Sequence, residues 1–202
     1  MDFNGFKFLL FFFFLANFCS AQINILMLNG KYKPVKQYEV KGDWIYYKKI
    51  DDPKDKTHKM DKFDVFSAIN ADSTEEIIYD PDTTMEGDPG VEQVRNYIKG
   101  EQYGMAVYKK PLNIVGGVAV GAGSAWLLGY YGPIGVFTYA IVLSRFNPKV
   151  PYTDNVPPEV FNSAEFSLGY QKYARNKKIK QSLIFGGISF GVAFAAFAIF
   201  DK

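Results

Sequence analysis

The side chains best suited to chemistry are few and scattered. The single histidine, His58, sits in the polar run DKTHKM, and the single cysteine, Cys19, sits in NFCSAQ. Transition-metal clusters draw mainly on His and Cys, so ligands are scarce. A lone His without partners in a polar loop reads as solvated. Asp80, Asp82, Glu86 and Asp88 in YDPDTTMEGD supply oxygen ligands, but their spacing matches no EF-hand loop, and a flexible acidic linker accounts for them. The spaced glycines of GVAVGAGSAW lack the preceding strand and downstream acid of a dinucleotide fingerprint, and no glycine run leads into a phosphate-binding lysine. GISFG has the outline of a nucleophile elbow, with no histidine downstream of it. The expectation is a protein that is not an enzyme, with no metal and no cofactor.

Two other spacings carry more information. Gly116, Gly117, Gly121 and Gly123 lie in the uncharged stretch Leu112–Ser144, and Gly186, Gly187 and Gly191 lie in the uncharged stretch Ser182–Phe200. Gly117/Gly121 and Gly187/Gly191 are G-x-x-x-G pairs, which let helix backbones approach closely where lipid surrounds them. These seven glycines are the expected helix-packing residues, a glycine zipper. Cations precede each stretch: Lys109 and Lys110 before the first, and Arg175, Lys177, Lys178 and Lys180 before the second. Together with Tyr170 and Tyr173 they are the expected contacts to lipid headgroups, anionic ones in particular. The expected partners are therefore the lipid bilayer and either an envelope protein or a second copy of the chain. The net charge of +2 does not call for nucleic acid.

These residues must be positioned by elements the sequence also outlines. Residues 1–21 resemble a signal peptide: Lys7, then the apolar run Phe8–Phe18, then Cys19 and Ala21 at the small-residue positions before cleavage. Removal would leave the mature chain without cysteine, and so without disulfides. Residues 22–80 read as a small antiparallel β barrel or sheet of five short strands. INILML ends in the turn signal Asn29-Gly30, WIYYKK is rich in strand formers, and IDDPKDKTHK reads as a polar loop. Residues 81–90 form a linker. An amphipathic helix follows over 91–110, with Asp88 as cap and Pro89 at its first position.

Residues 111–145 are the apolar core of the problem. As one helix, Leu112–Ser144 would run about 50 Å at 1.5 Å per residue, against a hydrocarbon thickness of about 30 Å. GYYGPIG supplies a break, so the segment is either one kinked crossing or a helical hairpin with arms near Leu112–Leu128 and Ile134–Ser144. Residues 146–162 are a Pro-rich extended connection. Asn162 and Glu165 form a capping box for a basic amphipathic helix over 163–181, which leads into a C-terminal transmembrane helix over 182–202. The fold class is α+β: a small antiparallel β unit followed by Gly-rich transmembrane helices, the hairpin plus the C-terminal helix.

GEQYGMAVYKKPLNIVGGVAVG and GYQKYARNKKIKQSLIFGGISFG share a leading Gly, a Gln two residues on, a basic pair and a closing Gly-Gly-x-x-x-Gly, with one residue of offset needed to match them end to end, which suggests an internal repeat. On the strength of CSAQ at the cleavage site, LNGK and WIYYK in the β segment and these paired units, the chain resembles uncharacterised exported envelope proteins of Bacteroidota. That resemblance implies a cell envelope and no activity. The functional expectation is an exported, non-enzymatic envelope membrane protein, a scaffold or accessory subunit presenting a periplasmic β module, with inner and outer membrane both open. The alternatives are an oligomeric glycine-zipper pore and a soluble secreted binding protein.

Overall fold

The computed structural model describes residues 22–82 and 87–200. The signal-peptide reading, Cys19 and Glu86 fall outside these residues. The chain divides at Asp88/Pro89 into two compact units.

The first unit is a six-stranded antiparallel sheet: β1 (Ile23–Met27), β2 (Tyr32–Lys41), β3 (Trp44–Lys49), β4 (Thr57–Asp61), β5 (Val65–Ile69) and β6 (Glu75–Ile77). Their order is β4-β3-β2-β1-β5-β6, so the sheet is open, with β4 and β6 at its edges. Of the two forms expected, the sheet is found and the barrel is not. Gly30 takes φ 73°, as the Asn-Gly turn between β1 and β2 requires. The core gathers Ile25, Val35, Ile45, Tyr47, Met60, Val65, Ala68 and Ile78.

The sixth strand corrects the sequence reading. Thr57, His58 and Lys59, expected in a polar loop, belong to β4, which pairs with β3 through Tyr47↔His58 and Ile45↔Met60. The strand has only one apolar residue, Met60, so its period-two signal was too thin to see.

The second unit is helical: α1 (Val91–Val107), α2 (Leu112–Leu128), α3 (Gly132–Ser144), the single turn α4 (Pro158–Phe161) and α5 (Ala164–Phe200). The cap of α1 is Gly90, not Asp88. Gly90 is extended, and its N–H donates to the Gln93 side chain at 2.8 Å. The cap of α5 shifts likewise from Asn162 to Ser163, whose Oγ accepts from the Phe166 N–H at 3.2 Å. The Pro-rich connection is not wholly extended, because Pro157-Pro158 starts the one-turn α4. The segments 163–181 and 182–202, expected as separate elements, are one continuous 37-residue helix as far as Phe200.

Leu112–Ser144 folds as a hairpin. Gly129 takes φ 53° and ψ −122°, breaking the ladder after Leu128, and a 3₁₀ turn at Gly129–Tyr131 leads into Pro133 in the first turn of α3. The arms run antiparallel: Gly116 faces the Tyr139 hydroxyl, while Ser124 faces Gly132 and Gly135. The long helix α5 lies beside both arms. It runs parallel to α2, through Gly117 against Ser182 and Gly121 against Gly186, and antiparallel to α3, through Val136 against Gly186 and Gly132 against Phe190.

Candidate membrane-embedded helices and their basic collar

Two stretches are long and apolar enough to cross a membrane, Leu112–Ser144 and Ala164–Ile199, and within their most apolar windows only 22% and 11% of residues are buried in the protein. A soluble core helix hides its apolar face. Here Trp126 is 72% exposed, Ile141 61%, Val192 67% and Ile199 69%. Such outward apolar side chains suit a hydrocarbon solvent.

Between the helices the glycines divide into two groups. A Cβ on Gly117 would lie 2.9 Å from the Ser182 carbonyl oxygen, and one on Gly121 would lie 2.2 Å from the Gly186 carbonyl oxygen. Gly116 receives the Tyr139 hydroxyl, and Gly186 receives Val136. These four are packing residues. Gly123, Gly187 and Gly191 are not: a Cβ at any of them would meet nothing within 4 Å. The G-x-x-x-G spacing alone could not tell which face of α5 meets its neighbour. The face used runs through Ser182, Gly186 and Ser189.

Polar side chains line the same seam. Asn113, 8% exposed, donates from Nδ2 to the Tyr108 hydroxyl at 3.0 Å, and Ser182, fully buried, donates to the Asn113 carbonyl at 3.4 Å. Ser189 donates to the Val118 carbonyl at 3.0 Å. Hydroxyl-to-carbonyl bonds of this kind tie adjacent helices where water is absent.

The basic residues also divide. The hairpin returns the chain to the level at which it left, so Lys109, Lys110 and Arg145 come level with Arg175–Lys180 of α5. Lys109, Lys110, Arg175 and Lys180 are exposed and form a collar at one end of the apolar helices. Lys177 and Lys178 face inward. Lys177 donates from Nζ to the Tyr108 carbonyl at 3.0 Å, where α1 ends, and Lys178 donates to the Phe146 carbonyl at 2.7 Å, just beyond α3. Each ties down a chain break by satisfying a helix-end carbonyl. Tyr170 is 2% exposed and packs with Tyr108 and Ala174, so it is a core residue and not a headgroup contact. Tyr173 packs against Gly104 and under the Lys177 ammonium.

Glu101 interrupts the apolar face of α1. It is on that buried face, 4% exposed. Its Oε1 lies 3.3 Å from Lys172 Nζ and 3.5 Å from the Tyr97 hydroxyl, while Oε2 is buried without a partner. The signal that could have found it is a single carboxylate among the apolar residues Val94, Ile98 and Met105 at helical spacing, which calls for a cation on the facing helix.

Among the described residues no group of three or more His, Cys, Asp or Glu is placed to hold a metal ion. Asp88 instead accepts from the backbone N–H of Asp82 at 2.6 Å. No protein-family model matches the chain, and neither the curated proteins nor the solved structures contain a significant match to it.

Proposed function

We propose that the protein is a non-enzymatic cell-envelope membrane protein, a scaffold or accessory subunit. In this reading the chain is exported, α2, α3 and the apolar half of α5 are embedded in lipid, and the β sheet is presented outside the cytoplasm. The observation that carries the reading is the three-helix apolar unit, with outward-facing Trp, Leu, Ile and Val and, among the described residues, a collar of Lys and Arg at one end. The collar residues Lys109, Lys110, Arg175 and Lys180 meet anionic headgroups, where each cation contributes about 1 kcal/mol.

Topology bears on which membrane this is. With a hairpin, the collar and the residue 146–163 connection share one side. Export puts that side outside the cytoplasm, against the tendency of basic loops to stay inside. The conflict disappears if the unit inserts from the periplasm into an outer membrane, and we favour that placement, in a diderm cell.

The test uses Asp154→Cys and Asp72→Cys variants of the full chain, labelled on intact and on permeabilised cells after separation of inner and outer membranes. Both positions should react from outside the cytoplasm and the protein should resist extraction by high salt. Labelling of residue 154 from the cytoplasm alone, or release by salt, refutes the reading. A second reading, an oligomeric pore, draws on Gly123, Gly187 and Gly191, which leave small-residue surface unused within the chain. Conductance across liposomes by the purified protein would favour it.

A further inference from the structure

The β unit breaks its own pattern at one end of the core face. Side chains two apart on a strand share a face, so the neighbours of Val35, Ile45 and Met60 at that spacing should be apolar. Tyr47 obeys. Lys33, Lys49 and His58 do not. Lys33 sits two residues before buried Val35 and opposite buried Ile25, Lys49 sits opposite Val35, and His58 sits two before Met60 and opposite Tyr47. Polar residues at core-facing positions are where a stable fold gives way to function.

These side chains converge on one open cleft of about 680 Å³, whose lining includes Lys33, Lys49, Asp51, Asp52 and His58. His58 Nε2 lies 3.3 Å from Asp52 Oδ2, and the imidazole stacks on Tyr47 with centroids 5.6 Å apart. Lys33 Nζ donates to the Tyr47 hydroxyl at 2.5 Å and lies 4.1 Å from its ring centroid. The loop that brings in Asp52 is held firmly. Lys54 N–H donates to Asp52 Oδ1 at 3.0 Å, and Lys48 and Lys36 both pair with Asp55. Backbone bonds from Lys54, then the His58 contact, hold the Asp52 carboxyl below its ordinary range.

The charges are not balanced pairwise. Asp52 is occupied by His58 and by backbone N–H groups. Among the described residues Lys33 has a phenol for its partner and no carboxylate, and an ammonium has three donors to place. Among the same residues no carboxylate pairs with Lys49 either. Two ammonium groups therefore face the cleft with free donors, while Asp51 and Asp52 keep its net charge low. Such a site favours an oxyanion of single charge over a doubly charged one.

We propose that the cleft binds the carboxylate group of a small molecule, with Lys33 and Lys49 as its charge-assisted donors and His58 beside it on Tyr47. This goes beyond the scaffold reading and does not depend on it, since it concerns the β unit alone. The carboxylate is either free or the end of a larger molecule, and the experiment separates these by probe.

The test exploits the fact that the chain has one histidine, so a single imidazole signal reports the cleft. The full chain in detergent micelles is titrated, at constant ionic strength, with acetate, inorganic phosphate and an alanine-terminated dipeptide. Acetate should move the His58 resonance saturably, with a dissociation constant of about 1 mM, the range expected of so small a ligand. Phosphate should bind more weakly. Tighter binding of the dipeptide than of acetate assigns the site to chain-end carboxylates, and equal binding assigns it to free ones; either supports the proposal. Lys33→Gln should weaken acetate by about tenfold or more, as loss of a charge-assisted bond implies. Lys41→Gln, at the far end of β2 and ion-paired with exposed Glu39, should leave it unchanged and controls for folding. A linear, unsaturated response to acetate, or binding that survives Lys33→Gln, overturns the proposal.

Discussion

Replacing Gly121 with Ala should weaken the helical unit, while the same change at Gly191 should not. A Cβ at residue 121 would stand 2.1 Å from Ser189 Oγ and 2.2 Å from the Gly186 carbonyl oxygen. The serine hydroxyl can rotate away. The carbonyl is backbone inside α5 and cannot, so α2 and α5 must part. Ordinary contact begins at 3.4 Å, so the retreat is about 1 Å. Overpacking of this kind costs about 1–3 kcal/mol, and the parting also forfeits dispersion contacts along the seam. Alanine regains up to about 1 kcal/mol of helix propensity over glycine. With that gain taken in full, the net loss at residue 121 is about 0–2 kcal/mol before the forfeited dispersion contacts are added. At Gly191 nothing lies within 4 Å, so only the propensity gain remains, and Gly191→Ala should be neutral or slightly stabilising. Unfolding of the full chain in mixed micelles, followed by far-ultraviolet circular dichroism against denaturing detergent, measures both. Equal stability of the two variants, or a larger loss at residue 191, would refute the placement of Gly186 and Ser189 on the seam.

Three further outcomes follow from buried or paired groups. Lys172→Met removes the cation paired with the buried Glu101 carboxylate, and should destabilise the α1–α5 pair by about 1–3 kcal/mol, discounted for the half-exposed lysine. Glu101→Gln in the same background should restore part of that loss, and the same micelle titration checks it. In the β unit, burial and then the Glu76 hydrogen bond raise the Tyr38 hydroxyl from 10.0 to about 12. A proton held more tightly in the folded state gives stability that is present below about pH 10 and lost as pH rises to about 12. Tyr38→Phe should flatten that decline, read from the denaturant midpoint of the sheet against pH. The opposite sign applies at Asp52 and Asp55, both held below 3.8 by hydrogen bonds: their contribution is present above that value and fades as pH falls through their folded values.

The parts of the structure that were legible in sequence are those with a strong local cause. Asn29-Gly30 fixed a turn because the φ it demands suits few residues, and GYYGPIG broke a helix because Gly129 and Pro133 both oppose its continuation. The uncharged runs announced themselves by length. What stayed hidden depended on which face of an element meets a neighbour. Gly121 and Gly191 have the same local context, yet only one touches another helix. Lys177 and Lys178 look like surface cations until the hairpin returns Phe146 to the level of α5. His58 looked solvated because β4 offers one apolar residue to mark its face, and because Asp52 reaches it only through a turned loop.

The internal repeat acquires a physical meaning from the way its halves meet. Gly100 and Gly169 occupy the same place in the two segments, and so do Tyr97 and Phe166 when the same 69-residue offset is applied. A Cβ on Gly100 would fall 2.0 Å from the Phe166 carbonyl oxygen, and one on Gly169 would fall 2.0 Å from the Tyr97 carbonyl oxygen. Each glycine thus approaches the counterpart of what the other approaches. The offset continues down the pair: Lys177 meets Tyr108, Ser182 meets Asn113, and Gly186 meets Gly117. This reciprocity describes a local two-fold relation between parallel helices within one chain. Parallel helices in register give contacts at one constant offset whatever their origin; a duplicated segment that pairs with its own copy would add glycine at the same place in both, as at Gly100 and Gly169. Parallel pairing also explains α3. After α2 has run its length, the chain must come back to the starting level before α5 can run beside α1 and α2 in the same direction. The return arm supplies that passage and fills the groove at Gly116 and Gly186 as it goes.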